Sequence, residues 1–188
     1  LPSLPLTWHY RSRHEDLIAF SNYRFYEGKL NTFPGSSITA PDLGVESFLV
    51  DGQYRRGAQR DNPVEARKVV DRVLFHLHRN PGSSIGVVAF SKAQEDAVLA
   101  ELEARSQVNP ELSDHLNSED RLEGFFVKNL ENVQGDERDI VIFTVGYGPD
   151  EAGKFLLNLG PLTRDGGWRR LNVAITRARK RVEIVHSV

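Results

Sequence analysis

Gly148-Pro149-Asp150-Glu151-Ala152-Gly153-Lys154 fits the G-x-x-x-x-G-K frame in which backbone N–H groups cradle phosphate and a lysine reaches the terminal phosphates. Its chemistry argues against that use. Phe155 stands where a Ser or Thr hydroxyl should hold magnesium, and two carboxylates occupy a cradle that must accept a polyanion. Only FLLNL separates the frame from Gly160-Pro161, too little for the helix that should follow. The same run has the acids and lysine of a metal-dependent nuclease, but such sites gather carboxylates from separate strands, and here they share one loop. His76 and His78, two apart on a predicted helix, point to different faces and cannot share a metal, so both read as solvated surface. Arginine outnumbers lysine 18 to 6. Guanidinium suits bidentate grips on phosphate or carboxylate, so the bias permits a phosphate-handling site, although an arginine-rich genome would produce the same bias.

The chain that must position such groups has 188 residues, 24 Lys plus Arg against 26 Asp plus Glu, and a net charge of -2. That length suits one domain spanning residues 1–188, with a core of real size. Without cysteine there is no disulfide scaffold, thiolate zinc site or cysteine nucleophile, which points to a reducing cytoplasm. No apolar run approaches the ~18 residues of a membrane span, and LPSLPLTWHY lacks the order of a signal peptide, so a soluble protein with no membrane partner is expected. Methionine is absent even at position 1, which suggests a piece of a longer polypeptide whose activity needs the remainder.

Residues 3 to 10 read as a strand, 14 to 26 as a helix, 31 to 44 as an irregular loop and 45 to 51 as a strand. Asp61 or Asn62 caps a helix that has Pro63 in its first turn and Val69, Val70, Val73, Leu74 and Leu77 on one face. IGVVAF at 85 to 90 has the continuous apolar character of a buried parallel strand, and Ser91 caps a helix reaching about Arg105. Residues 106 to 120 are polar and read as loop. Strands follow at 125 to 130 and 139 to 147, then a Gly-rich loop, a helix over WRRLNVAITRAR and a closing strand over RVEIVHSV. Alternating strands and helices predict an α/β domain with a mainly parallel sheet. Such sheets bind ligands beyond the carboxyl ends of their strands, which nominates Tyr10 to Arg13, Ser91 to Gln94, Asn129 to Glu137 and the Gly-rich loop.

Those segments resemble a known family. HYRSR at 9 to 13, IGVVAFSKAQ at 85 to 94, NLENVQGDERDIVIFTV at 129 to 145 and RRLNVAITRAR at 169 to 179 occur in the order of four characteristic blocks of superfamily 1 helicases. The likeness is strongest to the Upf1-like or Dna2-like branch, whose motif IV resembles LTWHYRSRHEDLIAFSNYRFYEGKL throughout, and it covers essentially the whole chain as the second, C-terminal RecA-like motor domain. This resemblance implies a three-layer RecA-like fold. It also implies ATP, with Mg2+, held in a cleft between two RecA-like domains, the N-terminal one supplying the phosphate-binding loop and the magnesium ligands.

By position in their blocks, Arg177 resembles the family's arginine finger, Arg11 a second arginine reaching the phosphates, and Tyr10 the ring that stacks on adenine. Gln134, Gly135 and Glu137 resemble the motif V turn, with Glu137 accepting from the ribose. A finger guanidinium stabilises the charge spread over a transferring phosphoryl group, by roughly 10³ to 10⁵ in rate. Arg170 and Ala174 are expected on the helical face of Arg177. Arg13, Arg170 and Arg179 could equally be structural partners of the acidic turn. For single-stranded DNA or RNA the resemblance points to Ser91, Gln94 and Asn129. Here the family usually has a Pro-Tyr pair before the Gln and a Thr in place of Asn129, whereas Gln94 matches it.

Two functions follow. One is the second motor domain of an ATP-dependent helicase, monomeric and cytoplasmic, inactive when isolated and partnered by the N-terminal domain of its own chain. The other is a non-catalytic RecA-like module that binds nucleic acid or protein. The retained Arg11, Arg177, Gln134 and Glu137 favour the motor.

Overall fold

The computed structural model describes residues 8–9, 12–32, 42–117, 124–155, 159–163 and 165–188. In chain order the elements are β1 (Trp8–His9), α1 (Asp16–Phe25), β2 (Asn31–Thr32), β3 (Gly44–Leu49), α2 (Pro63–Arg79), β4 (Ile85–Ala89), α3 (Lys92–Ser106), α4 (Pro110–Leu116), β5 (Phe126–Asn129), β6 (Arg138–Thr144), α5 (Gly167–Ile175) and β7 (Ala178–His186). A short 3-10 turn, Gly160–Thr163, precedes α5. Five strands form one sheet in the order β3-β7-β6-β4-β5, every neighbouring pair parallel. β1 and β2 pair separately, also parallel.

Alternation along the strands makes this a three-layer molecule. On β6, Val141, Phe143 and the following Val145 face a core shared with Leu17 of α1 and Ala174 of α5, while Ile140 and Ile142 face the opposite core of Val69, Val70 and Val73 of α2, Val98 of α3 and Leu112 of α4. Local signals set the helix starts. Asn62 accepts from the Glu65 amide ahead of Pro63, and Ser91 accepts from the Gln94 amide. The loop expected at 106 to 120 instead contains α4, capped by Asn109 ahead of Pro110 and anchored by the buried Leu112. The helix expected through Arg179 stops at Ile175. Parallel pairing takes over there, with Ala178 opposite Arg138.

His76 also departs from expectation. Its side chain is buried and its Nε2 lies 2.8 Å from Glu183 Oε1 on β7, whereas His78 is exposed as expected. Glu183 is fully buried, gripped at both oxygens by Arg72 (2.8 and 2.7 Å) and also by Arg181 Nε (2.7 Å), which in turn bonds Glu46. Burial alone would raise its pKa, but Arg72, His76 and Arg181 hold it at about 2. Among the described residues no helix is long and apolar enough to cross a membrane.

Candidate functional site

Because all five strands run the same way, Gly44, Ile85, Phe126, Arg138 and Ala178 begin one edge of the sheet, and Leu49, Ala89, Asn129, Thr144 and His186 end at the other. The helicase-like blocks divide between these edges.

At the amino-terminal edge, backbone bonds stitch distant segments together. The Arg13 amide donates to the Arg179 carbonyl (2.8 Å) and the Arg138 amide to the Arg177 carbonyl (3.0 Å). The first links the HYRSR block to the TRAR block, and the second links the motif V turn to it. Arg177 lies in the turn between α5 and β7, half-exposed, with Nε donating to the Val173 carbonyl (2.9 Å) and Nη2 to Thr176 Oγ1 (3.2 Å). It therefore does not share a helical face with Arg170 and Ala174. Ala174 is buried beneath the sheet, and Arg170 reaches Glu131 at 3.9 Å. Arg179 bonds Ser84 Oγ (3.2 Å) and approaches Asp139 (3.2 Å), which Lys180 also reaches at 3.0 Å. Arg138 is buried, donating to the Gly124 and Glu137 carbonyls (2.8 and 2.7 Å).

Gln134 and Gly135 are exposed in the turn before β6, and Glu137 is half-buried. Gly135 has φ 95°, a conformation that any side chain would strain. Tyr10 and Arg11 lie outside the described residues. The segments nominated for following strand ends do not all stay at that edge. Residues 130 to 137 cross from one edge to the other with Leu130 and Val133 in the core, so Glu137, like Arg13 and Arg177, sits where strands begin. The guanidinium-rich edge suits a polyanion. Among the described residues no group of three or more His, Asp or Glu side chains is arranged to hold a metal ion.

The carboxyl-terminal edge is a closed polar network. Gln94 is fully buried: its Oε1 accepts from the Asn62 amide (2.7 Å), and its Nε2 donates to the Asn62 carbonyl (3.1 Å) and Thr144 Oγ1 (3.0 Å). Thr144 Oγ1 and the Gly146 amide donate to Glu65 Oε2 (2.8 and 2.7 Å), while Ser187 Oγ and Asn62 Nδ2 donate to Oε1 (2.9 and 3.3 Å). Burial pushes the Glu65 pKa up, and the Gly146, Thr144 and Ser187 donors pull it back. Gly146 has φ 73°, and a Cβ there would fall 2.8 Å from the Gln94 side chain. Asn129 is also buried, donating to Glu95 (2.7 Å) and accepting from the Glu131 amide (2.9 Å). Ser91 caps α3. Sequence reasoning missed Glu65, Thr144 and Ser187. The signal for Glu65 was available, since Asn62-x-x-Glu65 has capping-box spacing.

The G-x-x-x-x-G-K run is closed on itself. Asp150 Oδ1 accepts from the Ala152 and Lys154 amides (3.1 and 2.8 Å), which a phosphate would need, and Arg56 bonds its other oxygen.

Residues 2–188 match the model of the AAA domain, the domain typical of Upf1-like superfamily 1 helicases. The chain belongs to that family. This helicase-family domain is 40% identical over 183 residues to an uncharacterized ATP-dependent helicase of Mycoplasma genitalium, and 41% identical over 184 residues to its homolog in Mycoplasma pneumoniae. Each alignment takes in 95% of this chain but 16% of the relative, so the domain spans about a sixth of their length. The solved C-terminal domain of a possible DNA helicase from Lactobacillus plantarum is 16% identical, with 94% of this chain and 86% of that one covered at a TM-score of 0.46.

Proposed function

We propose that this domain is the second motor domain of an ATP-dependent superfamily 1 helicase. In this reading residues 1–188 are one unit of a longer, monomeric, cytoplasmic protein. ATP with Mg2+ lies between this unit and an N-terminal RecA-like domain that supplies the metal ligands, while single-stranded DNA or RNA runs across both. Arg177 is the arginine finger and Arg11 its companion at the phosphates. Tyr10 stacks on adenine, and Gln134, Gly135 and Glu137 line the nucleotide. The observation that carries the reading is the pair of backbone bonds, Arg13 to Arg179 and Arg138 to Arg177, which gathers three sequence-distant blocks at one edge. At the other edge, Ser91 can meet a strand directly, whereas Gln94 and Asn129, whose amides are spent internally, position the α3 start and the turn after β5.

The test is Arg177→Ala in the full-length helicase. ATP affinity stays nearly constant while turnover falls about 10³-fold or more, because the lost interaction forms with the charge of the transition state. Unchanged turnover refutes the finger, whereas a full-length protein that turns over no ATP favours the non-catalytic module. The isolated chain hydrolyses no ATP.

A further inference from the structure

The surface of α1 and α5 carries aromatic rings that the core does not use. Trp168, in the first turn of α5, is 47% exposed and stacks on Phe25 with centroids 5.0 Å apart and planes 16° from parallel. Phe20, 41% exposed, meets Phe25 edge-on at 5.9 Å, and Tyr23 is 83% exposed on the same helix. The Arg169 guanidinium lies 4.9 Å from the Trp168 ring. A surface cluster of this kind marks an interaction site more often than a packing remnant.

Position and charge identify the occupant. α5 ends beside Arg177 at the amino-terminal edge, so its start lies about 13 Å away toward the carboxyl-terminal edge. The Arg170–Glu131 pair agrees, since Glu131 follows the end of β5. That is the edge where the amides of Gln94 and Asn129 are consumed internally, leaving the grip on a ligand to other groups. α5 has Arg169 and Arg170 and no carboxylate, and α1 ends with the exposed Arg24. Flat rings flanked by guanidinium groups match the bases and phosphates of an unpaired strand better than the mixed surface of a protein partner.

We propose that Trp168, backed by Phe25, is a base-stacking platform for single-stranded nucleic acid, with Arg169 taking a flanking phosphate. The inference rests on the nucleic-acid part of the function above and adds a contact outside the helicase-like assignments. The exposed Arg169 side chain moves off the ring as a base arrives, exchanging one cation–π contact for stacking plus a phosphate bond.

With two tryptophans in the chain, Trp8→Phe leaves Trp168 as the lone reporter. Titrating that protein with oligo(dT) at low salt quenches its fluorescence. By anisotropy of a labelled oligo(dT), Trp168→Ala binds roughly 5- to 150-fold more weakly, as expected for loss of one stacked base, whereas Trp168→Phe retains most of the affinity. Circular dichroism of each variant controls for folding. Wild-type binding that survives Trp168→Ala unchanged, with no quenching, overturns the platform and leaves the motor reading standing. No oligo(dT) binding by wild type overturns the platform and leaves the motor reading standing, since in that reading the strand is DNA or RNA and runs across two domains. Self-association lost in Trp168→Ala, with oligo(dT) affinity unchanged, reassigns the rings to a protein contact and overturns the proposal.

Discussion

At the carboxyl-terminal edge of the sheet one buried carboxylate, Glu65, accepts from Thr144, Gly146, Ser187 and Asn62, whereas at the amino-terminal edge the partly exposed Arg177 and Arg179 lie at the start of β7, beside the buried Arg138. The first arrangement satisfies its members internally and fixes α2, α3, β6 and the segment after β7 relative to one another. The second concentrates positive charge at a rim. Polar residues in helicase-like blocks thus fall into two kinds, those that hold the frame and those that can meet a ligand, and block membership alone does not separate them.

That contrast predicts different failures. Arg177→Ala, expected to be costly to turnover, should lower stability by less than about 1 kcal/mol, since the side chain is half-exposed and donates to Val173 and Thr176 of its own turn. Glu65→Ala should do the reverse, removing about 3 kcal/mol in urea unfolding because it strands several buried donors. Equal stability losses for the two variants would erase the distinction.

Two fully buried glutamates among the described residues, Glu65 and Glu183, sharpen it through pH. Glu183, held at about 2 against an ordinary 4.5, contributes stability that is complete above about pH 4.5 and disappears as pH falls toward 2, on the order of 3 kcal/mol. Glu65 has the opposite sign. Burial raises its pKa, so folding favours its proton, and stability is lost as pH rises past its ordinary value. Urea midpoints measured from neutral to about pH 3 should fall on the acid side, where the Glu183 effect dominates. A flat acid limb would contradict the role of the Glu183 hub. The smallest effect belongs to Arg170→Ala. Its 3.9 Å pair with Glu131 is about half exposed, so unfolding should shift by ~0 to 1 kcal/mol, and a larger loss would give that residue a place in the frame.

Much of the frame was legible because its signals are local. Asn62-Pro63 with its valine stripe specified α2, and IGVVAF specified a strand buried on both faces. Asn109-Pro110 carries the same start signal, yet the polar composition around it hid α4, whose hold on the core is mainly Leu112. The helix assigned through TRAR failed because pairing with β6 outweighs propensity at Ala178. His76 looked like surface because its partner, Glu183, lies 107 residues away, and the burial of Gln94 was hidden because its partner Thr144 lies 50 residues away. For the site, motif order nominated Arg177, but a sequence does not say which strand end a segment occupies.

In the proposed motor Arg11 and Arg177 act on one anion, and a double-mutant cycle on ATP turnover in the full-length helicase tests this most directly. If both guanidinium groups serve the same phosphoryl transfer, each single alanine variant should lose nearly as much turnover as the double variant, a strongly non-additive result. Losses that multiply independently would mean that the two arginines do not meet at a shared phosphate, and the account of the rim would fail with them.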